Sequence, residues 1–332
     1  MNAFKAFRIH EAGGKISARF EQLTRDDLSP GEVVIRVAYS GINYKDALAA
    51  TGAGRILRRY PLVGGIDLSG TVVTSEDARF KPGDPVLVTG SSLSETVDGG
   101  YTEFARVRGE SVIPMPPGLD TLRAMQLGTA GFTAALAIHR MEINGQAPAR
   151  GPIVVTGATG GVGSIAIDML AARGYQVVAV TGKAESFEYL KSLGASKVVL
   201  RGEFGLGSKP LEAARFAGAI DNVGGEMLAG LTRQVDFWGN IASIGLTGGH
   251  ELRTTVMPFI LRGINLLGIN SSATLRAARL AVWQRIATDL APRHLARIAS
   301  RTIPFAELPG AFQAYIDGKV TGRTVVKIAA QP

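Results

Sequence analysis

Eleven residues constrain this chain more than any others: VVTGATGGVGS at 154–164, which places four glycines within seven positions directly after an apolar run. The run itself, GPIVVTG, is short, β-branched and bracketed by glycine, the pattern of a strand buried on both faces. Beyond the glycines, Val162, Ile165, Ala166, Met169 and Leu170 recur at helical spacing. Gly174 stops that helix, and QVVAV at 176–180 is a second buried strand. Strand, glycine turn, helix and strand within about 30 residues make a βαβ unit. Such a unit sets the glycines where backbone N–H groups and the positive end of the helix dipole converge, which suits a pyrophosphate. In the loop 160–163, Gly160 and Gly161 let the backbone approach phosphates, Val162 begins the apolar helix face, and Gly163 lets the helix lie close on the strand. G-x-x-G-G-x-G is a variant spacing, but the strand and helix around it supply the context a dinucleotide site requires.

The sheet continues through SKVVL (196–200), FAGAIDNVGG (216–225), GNIASIG (239–245) and INLLGIN (264–270), the alternation of a doubly wound parallel-sheet domain over residues 125–268. Ligand contacts in such domains fall at strand ends, so Asn222, Gly245, Leu246, Asn270 and Ser271 are candidates by position. A site that prefers NAD ends its second strand with an acid. Here Thr181, Gly182 and Lys183 stand in that place, and the first acid, Glu185, lies beyond it. A hydroxyl and an ammonium suit a 2′-phosphate, with Arg201 able to flank it, so NADPH is the expected cofactor.

Composition narrows the partners. With 332 residues, 46% hydrophobic and 19% charged, the chain is globular and sized for two domains. It has no cysteine, which removes disulfides, thiolate zinc sites and cysteine nucleophiles together. The start, MNAFKAFRIHEAGGK, lacks the apolar core of a signal peptide, and no run of about 18 apolar residues exists. A soluble cytoplasmic protein is the expectation. The net charge of +8 is dispersed rather than gathered in a basic helix, which argues against nucleic acid. The densest cluster, Arg55, Arg58 and Arg59 in GAGRILRRYP, reads either as a solvated loop or as a small patch for a ligand's phosphates.

The N-terminal part is β-rich: GEVVIRVAYSGIN, GIDLSGTVVTS, KPGDPVLVTG and GGYTEFARV are separated by Pro-Gly and Gly-Gly turns, the texture of a small antiparallel barrel-like unit. PMPPGL (114–119) marks a linker, AMQLGTAGFTAALAIHRM a helix leading into the nucleotide domain, and ATLRAARLAVWQRIATDL a later helix. The tail GKVTGRTVVKI is a strand expected to rejoin the N-terminal unit.

Seven motifs in order (GINYKDALAATG, PLVGGIDLSG, KPGDPVLVTG, GGYTEFARV, GTAGFTA, GATGGVGS, GKVTGRTVVKI) resemble the medium-chain dehydrogenase/reductase superfamily, in its zinc-free branch of quinone oxidoreductases and acrylyl-CoA reductases. The resemblance implies an α/β protein with a GroES-like catalytic domain (1–124 and 269–332), a Rossmann domain (125–268) and an active site in the cleft between them. It implies NADPH contacts at Tyr44, the loop 160–163, Thr181 to Lys183, Arg201, Leu246, Ile260 and Ser271. One departure is visible: Gly64 stands where proline is expected, which alters loop stiffness and not chemistry.

Zinc-dependent relatives place Cys and His where this chain has Asn43 and Ile66, and the four histidines are isolated in sequence, so no metal is expected. Without a Lewis acid, reduction of an activated C=C remains open, because hydrogen-bond donors and a proton source can stabilise charge on a conjugated carbonyl. Asn43 is a candidate donor, and Tyr44 either stacks beside the nicotinamide or donates its hydroxyl. Asp46 and Asp67 organise the loop, and Arg323 either faces ligand phosphates or forms a strand-edge ion pair. The expected activity is NADPH-dependent reduction of a short α,β-unsaturated acyl-CoA, acrylyl-CoA first. The alternatives are an NADPH:quinone oxidoreductase and a non-catalytic NADPH-binding protein. INLLGIN, at the end of the sheet, leaves an edge whose pairing with a symmetry mate predicts a homodimer.

Overall fold

The computed structural model describes residues 3–328. Two compact units emerge. One comprises 130–270 and 288–298; the other comprises residues up to Thr129, 271–287 and those from Ala299 onward.

The first unit is built on six parallel strands: β1 (Ile153–Thr156), β2 (Val177–Thr181), β3 (Lys197–Leu200), β4 (Phe216–Asp221), β5 (Val235–Ser243) and β6 (Asn265–Gly268). Their order is β3-β2-β1-β4-β5-β6, the doubly wound arrangement whose strand order reverses beside β1. Every residue of β1, β2 and β4 is buried, which is why those strands read as unbroken apolar runs. The helix Gly161–Ala172 follows β1 and buries Gly163 through Leu170. At the other end, β6 is an edge strand and only half-buried.

Among its described strands the second unit is antiparallel except where Arg301–Pro304 runs parallel to Thr324–Lys327. Thr324–Lys327 pairs with Val33–Ile42, and that strand pairs in turn with Asp67–Ser75 and Phe104–Val107. The tail therefore does rejoin the N-terminal strands. Its register, Thr324 opposite Ile42, sets Arg323 across from Asn43. A second sheet of Lys15–Leu23, Phe4–Ala12 and Leu62–Val63 closes the unit over a core that includes Phe7, Tyr101, Phe305 and Phe312. The segment read as a linker starts inside a strand, since Ile113–Pro114 pairs with Pro85–Thr89.

The helix foreseen around residues 124–141 is two segments, Thr121–Ile143 being broken at Gly128 (φ 52°, ψ −155°). A side chain at 128 would collide with the Arg323 guanidinium and the Asp67 carboxylate, and the backbone conformation itself suits only glycine. The break is thus fixed by a buried ion pair, which propensity cannot reveal.

Candidate active site

At the strand ends of the nucleotide unit, glycines do two different jobs. A Cβ on Gly163 would strike the Gly157 carbonyl and come within 2.8 Å of Ala158 Cα, so helix and strand need that glycine merely to pack. Gly157 has φ 57° and lies against Asn222, another position fixed by the fold. Gly160 is different. Its φ is an ordinary −72°, and the nearest atom to an added Cβ is the Gly157 carbonyl at 3.3 Å. Only that one carbonyl crowds the position, by a few tenths of an ångström, so glycine is less strictly required there than at 163, and its lack of a side chain suits a phosphate approaching the helix N-terminus.

Asp221 ties this turn together. It accepts from Thr156 Oγ1 (2.6 Å) and from the Gly224 N–H (2.8 Å), and burial pushes its carboxyl up from the usual range. Asn222 donates from Nδ2 to the Thr156 carbonyl (2.8 Å), while its Oδ1 is shielded from solvent with no partner among the described residues. A buried acceptor left unsatisfied at the end of β4 is costly unless a ligand donor meets it. Both Gly160, beside the helix N-terminus, and the orphaned Asn222 oxygen therefore fit a dinucleotide.

At the end of β2, Thr181 Oγ1 accepts from the Lys183 N–H (3.0 Å). A Cβ on Gly182 would meet only the Arg201 guanidinium, at 3.7 Å, so Arg201 closes over this strand end. Burial holds the Lys183 ammonium below its usual pKa, with Glu185 acting in the opposite sense. Leu246 (65% exposed) and Ile260 (71% exposed) are apolar and solvent-facing in the same unit.

In the other unit, Asn43 closes the strand Val33–Ile42 and caps the helix Tyr44–Thr51. Every polar atom of its side chain is engaged. Nδ2 donates to Asp67 Oδ2 (2.8 Å) and Asp46 Oδ2 (3.1 Å), and Oδ1 accepts from Arg323 Nη1 (2.7 Å). Arg323, 3% exposed, also donates to the carbonyls of Gln126 (3.3 Å) and Met125 (3.2 Å) and lies 3.5 Å from Asp67 Oδ2. Asp67 further accepts from the Thr129 hydroxyl (2.6 Å) and N–H (2.9 Å). Asp46 takes the N–H groups of Asn43 (2.8 Å) and Ile66 (2.9 Å); burial, with the neighbouring Asp67 charge, pushes it up to about 7 despite those donors. Tyr101 donates to the Gly41 carbonyl (3.0 Å) and packs on Gly64, whose N–H is bound to the Phe7 carbonyl (3.0 Å). Around this enclosed network, Tyr44 stands 42% exposed.

Ser271 belongs to this same unit, its carbonyl accepting from Arg279 Nη2 (2.8 Å). Arg279 is buried and also holds the Thr89 carbonyl (2.7 Å); burial pushes it down to about 10. Of the arginine cluster, Arg59 donates to the Thr96 carbonyl and Ser29 Oγ, both at 2.6 Å, whereas Arg55 and Arg58 border a cavity of about 420 Å³ together with Lys45 and Glu95. Among the described residues, no group of three or more His, Cys, Asp or Glu is placed to hold a metal ion, and no helix is long and apolar enough to cross a membrane.

Sequence reasoning missed the orphaned Asn222 oxygen, Gly128 and Arg279. Only Gly128 left a trace, as a glycine inside an apolar helical pattern.

Residues 29–117 match the alcohol dehydrogenase GroES-like domain, and residues 161–288 match the zinc-binding dehydrogenase domain. The Bacillus subtilis protein YhfP, named a quinone oxidoreductase, is 47% identical over 98% of this chain and 99% of its own. Its crystal structure with NAD bound superposes with a TM-score of 0.95, covering 98% of this chain and all of that one. The acrylyl-CoA reductase AcuI of Ruegeria pomeroyi is 47% identical over 96% of this chain and 97% of its own. The Escherichia coli protein YhdH, crystallised with NADPH, gives a TM-score of 0.94 at 47% identity, covering 98% of this chain and all of that one.

Proposed function

Because the chain belongs to the medium-chain dehydrogenase/reductase family, alongside relatives named quinone oxidoreductase and acrylyl-CoA reductase, we propose that it uses NADPH to reduce the activated C=C of a short α,β-unsaturated acyl-CoA. Acrylyl-CoA is the lead substrate. The observation that carries the cofactor half is the pairing of Gly160 at a helix N-terminus with an unsatisfied Asn222 Oδ1 at adjacent strand ends.

The loop 160–163 and Asn222 would hold the dinucleotide backbone, with Leu246 and Ile260 offering apolar surface. NADPH, when bound, supplies the hydride. The chain's own task is to polarise the conjugated carbonyl, on whose oxygen charge develops. Tyr44 is an exposed polar side chain at the start of the capped helix and meets substrate or nicotinamide. Asn43 and Arg323 act as positioning residues: their polar atoms are engaged inside the protein, so they fix Tyr44 rather than touch the carbonyl. Substrate reduction is measured as kcat/KM for acrylyl-CoA against a simple benzoquinone at one NADPH level, with acrylyl-CoA expected to lead. A tenfold advantage for the quinone would reverse the assignment. No NADPH consumption with any electrophile would leave a non-catalytic binding protein.

Cofactor choice follows from the end of β2. With Lys183 and Arg201 where an acid would favour NAD, NADPH is expected to bind about tenfold or more tighter than NADH, since one charge-assisted phosphate contact contributes roughly 1.5–3 kcal/mol. Fluorescence titration of wild type and Lys183→Ala reads this directly; equal affinities, or a ratio the variant leaves unchanged, refute it.

We also infer a cytoplasmic homodimer. The strand β6 is half-buried and lies at the edge of the sheet, and Phe237 and Trp238 are exposed in the same unit at 57% and 67%. Light scattering at micromolar concentration should give twice the monomer mass of 34.9 kDa, and a monomer value rejects the pairing.

A further inference from the structure

We propose that the cavity between Lys45, Arg55 and Arg58 is the seat of the substrate's nucleotide phosphates, the feature that separates an acyl-CoA from a neutral quinone. This rests on the acyl-CoA reading above. The cavity, about 420 Å³, falls in the range of roughly 300–1,000 Å³ typical of small-ligand sites. Its wall has three cations against one carboxylate, Glu95. Beneath them Leu57 is buried (1% exposed) and Ile56 half-buried, which gives a basic rim over an apolar floor.

The three arginines of this segment have divided labour. Arg59 is spent on the Thr96 carbonyl and Ser29 Oγ and anchors the segment. Arg55 and Arg58 are exposed, and neither side chain has a hydrogen bond or ion pair among the described residues. Two guanidinium groups without acceptors beside a concavity match the fork geometry that binds phosphate oxygens in pairs. Lys45 is the residue after Tyr44 on the helix Tyr44–Thr51, so one short helix carries both a wall of the cavity and the residue assigned to the reacting end of the substrate.

The opposite wall is built to stay put. Glu95 takes Lys45 Nζ at 2.7 Å, and its carbonyl accepts from the Arg58 N–H at 2.8 Å. Its loop holds Ser91, Ser92 and Ser94 at φ of 52°, 69° and 57°, a conformation that costs free energy and persists only where surroundings over-determine it. Glu95 thereby holds Lys45 at the cavity wall while leaving the two arginines for a polyanion. A quinone carries no charge for these groups to meet; a CoA thioester carries phosphates.

The experiment compares acrylyl-CoA with acrylyl-pantetheine, which has the same reacting group and no phosphate, at saturating NADPH. Arg55→Ala/Arg58→Ala should raise KM for acrylyl-CoA by about 10²-fold, roughly tenfold for each lost contact, with kcat and the acrylyl-pantetheine KM unchanged. Lys81→Ala/Arg108→Ala, which removes two exposed cations elsewhere in the same unit, should change neither. In parallel, calorimetry follows binding of 3′-phosphoadenosine 5′-diphosphate to the NADPH-loaded protein. Turnover of acrylyl-CoA with a KM indifferent to the arginines, or shifted equally for both thioesters, overturns the pocket and leaves the function standing. Arginine-dependent binding of this nucleotide without acyl-CoA turnover upholds the pocket and overturns the function. Neither turnover nor binding overturns both.

Discussion

Arg323→Met is expected to lower the unfolding free energy by about 3–5 kcal/mol and kcat by about 10²-fold, with the affinity for NADPH unchanged. The stability loss follows from burial. Arg323 and Asp67 have side chains 2% and 0% exposed, and removing one partner of such a pair leaves the other charge in a medium that solvates it poorly. Asp67 would retain Asn43 Nδ2 and the Thr129 hydroxyl and N–H, which places the cost within that range rather than above it. The activity loss follows from position. Arg323 Nη1 holds Asn43 Oδ1, and Asn43 caps the helix that begins at Tyr44, so its release shifts the exposed tyrosine by more than alignment tolerates, a misplacement of about 1 Å being enough to cost about 10²-fold. Two further variants separate these effects. Arg323→Lys keeps the charge beside Asp67 but loses the fork that reaches Asn43 and Met125 together, so it should recover stability more than kcat. Asp67→Asn/Arg323→Met should lose less stability than the two single changes summed, because no charge is stranded. Denaturant unfolding and steady-state kinetics on wild type and the four variants, Asp67→Asn included, check this; additive stability losses would show that the pair is not coupled.

What could be read from the sequence divides along a physical line. The βαβ unit was legible because its signals are local: a buried strand reads as continuous β-branched residues, a helix as a 3.6-residue period, and a phosphate turn as glycine between them. The Thr181–Lys183 strand end was legible for the same reason, since an acid is either present or absent at one known offset. The Asn43–Arg323 contact spans 280 positions and exists only because Thr324 registers opposite Ile42, which no window of sequence contains. The break at Gly128 has the same origin, for its cause is the Arg323–Asp67 pair and not the helix around it. The run Arg55, Arg58 and Arg59 looked uniform, yet the fold ties one arginine to Thr96 and Ser29 and leaves two beside a cavity.

Gly160→Val should leave the fold intact and weaken NADPH binding by about 10²-fold or more, whereas Gly163→Val should impair folding itself. The two glycines lie three residues apart in one motif, so fold-level arguments from the motif treat them alike; their surroundings do not. At 163 an added Cβ overlaps the Gly157 carbonyl and sits 2.8 Å from Ala158 Cα, both backbone atoms of the turn that the helix must pack against. Relief requires moving the helix off β1, and overpacking of this kind costs roughly 1–3 kcal/mol or more. At 160 the backbone conformation is one that valine tolerates, and the nearest atom stands 3.3 Å from the new Cβ. The added methyls fill the space where phosphate oxygens would meet the first N–H groups of the helix. Losing one or two charge-assisted hydrogen bonds, at roughly 1.5–3 kcal/mol each, gives the expected 10²-fold. Thermal unfolding without cofactor and fluorescence titration with NADPH distinguish the two sites. A Gly160→Val protein that binds NADPH as tightly as wild type would remove this turn from the cofactor site.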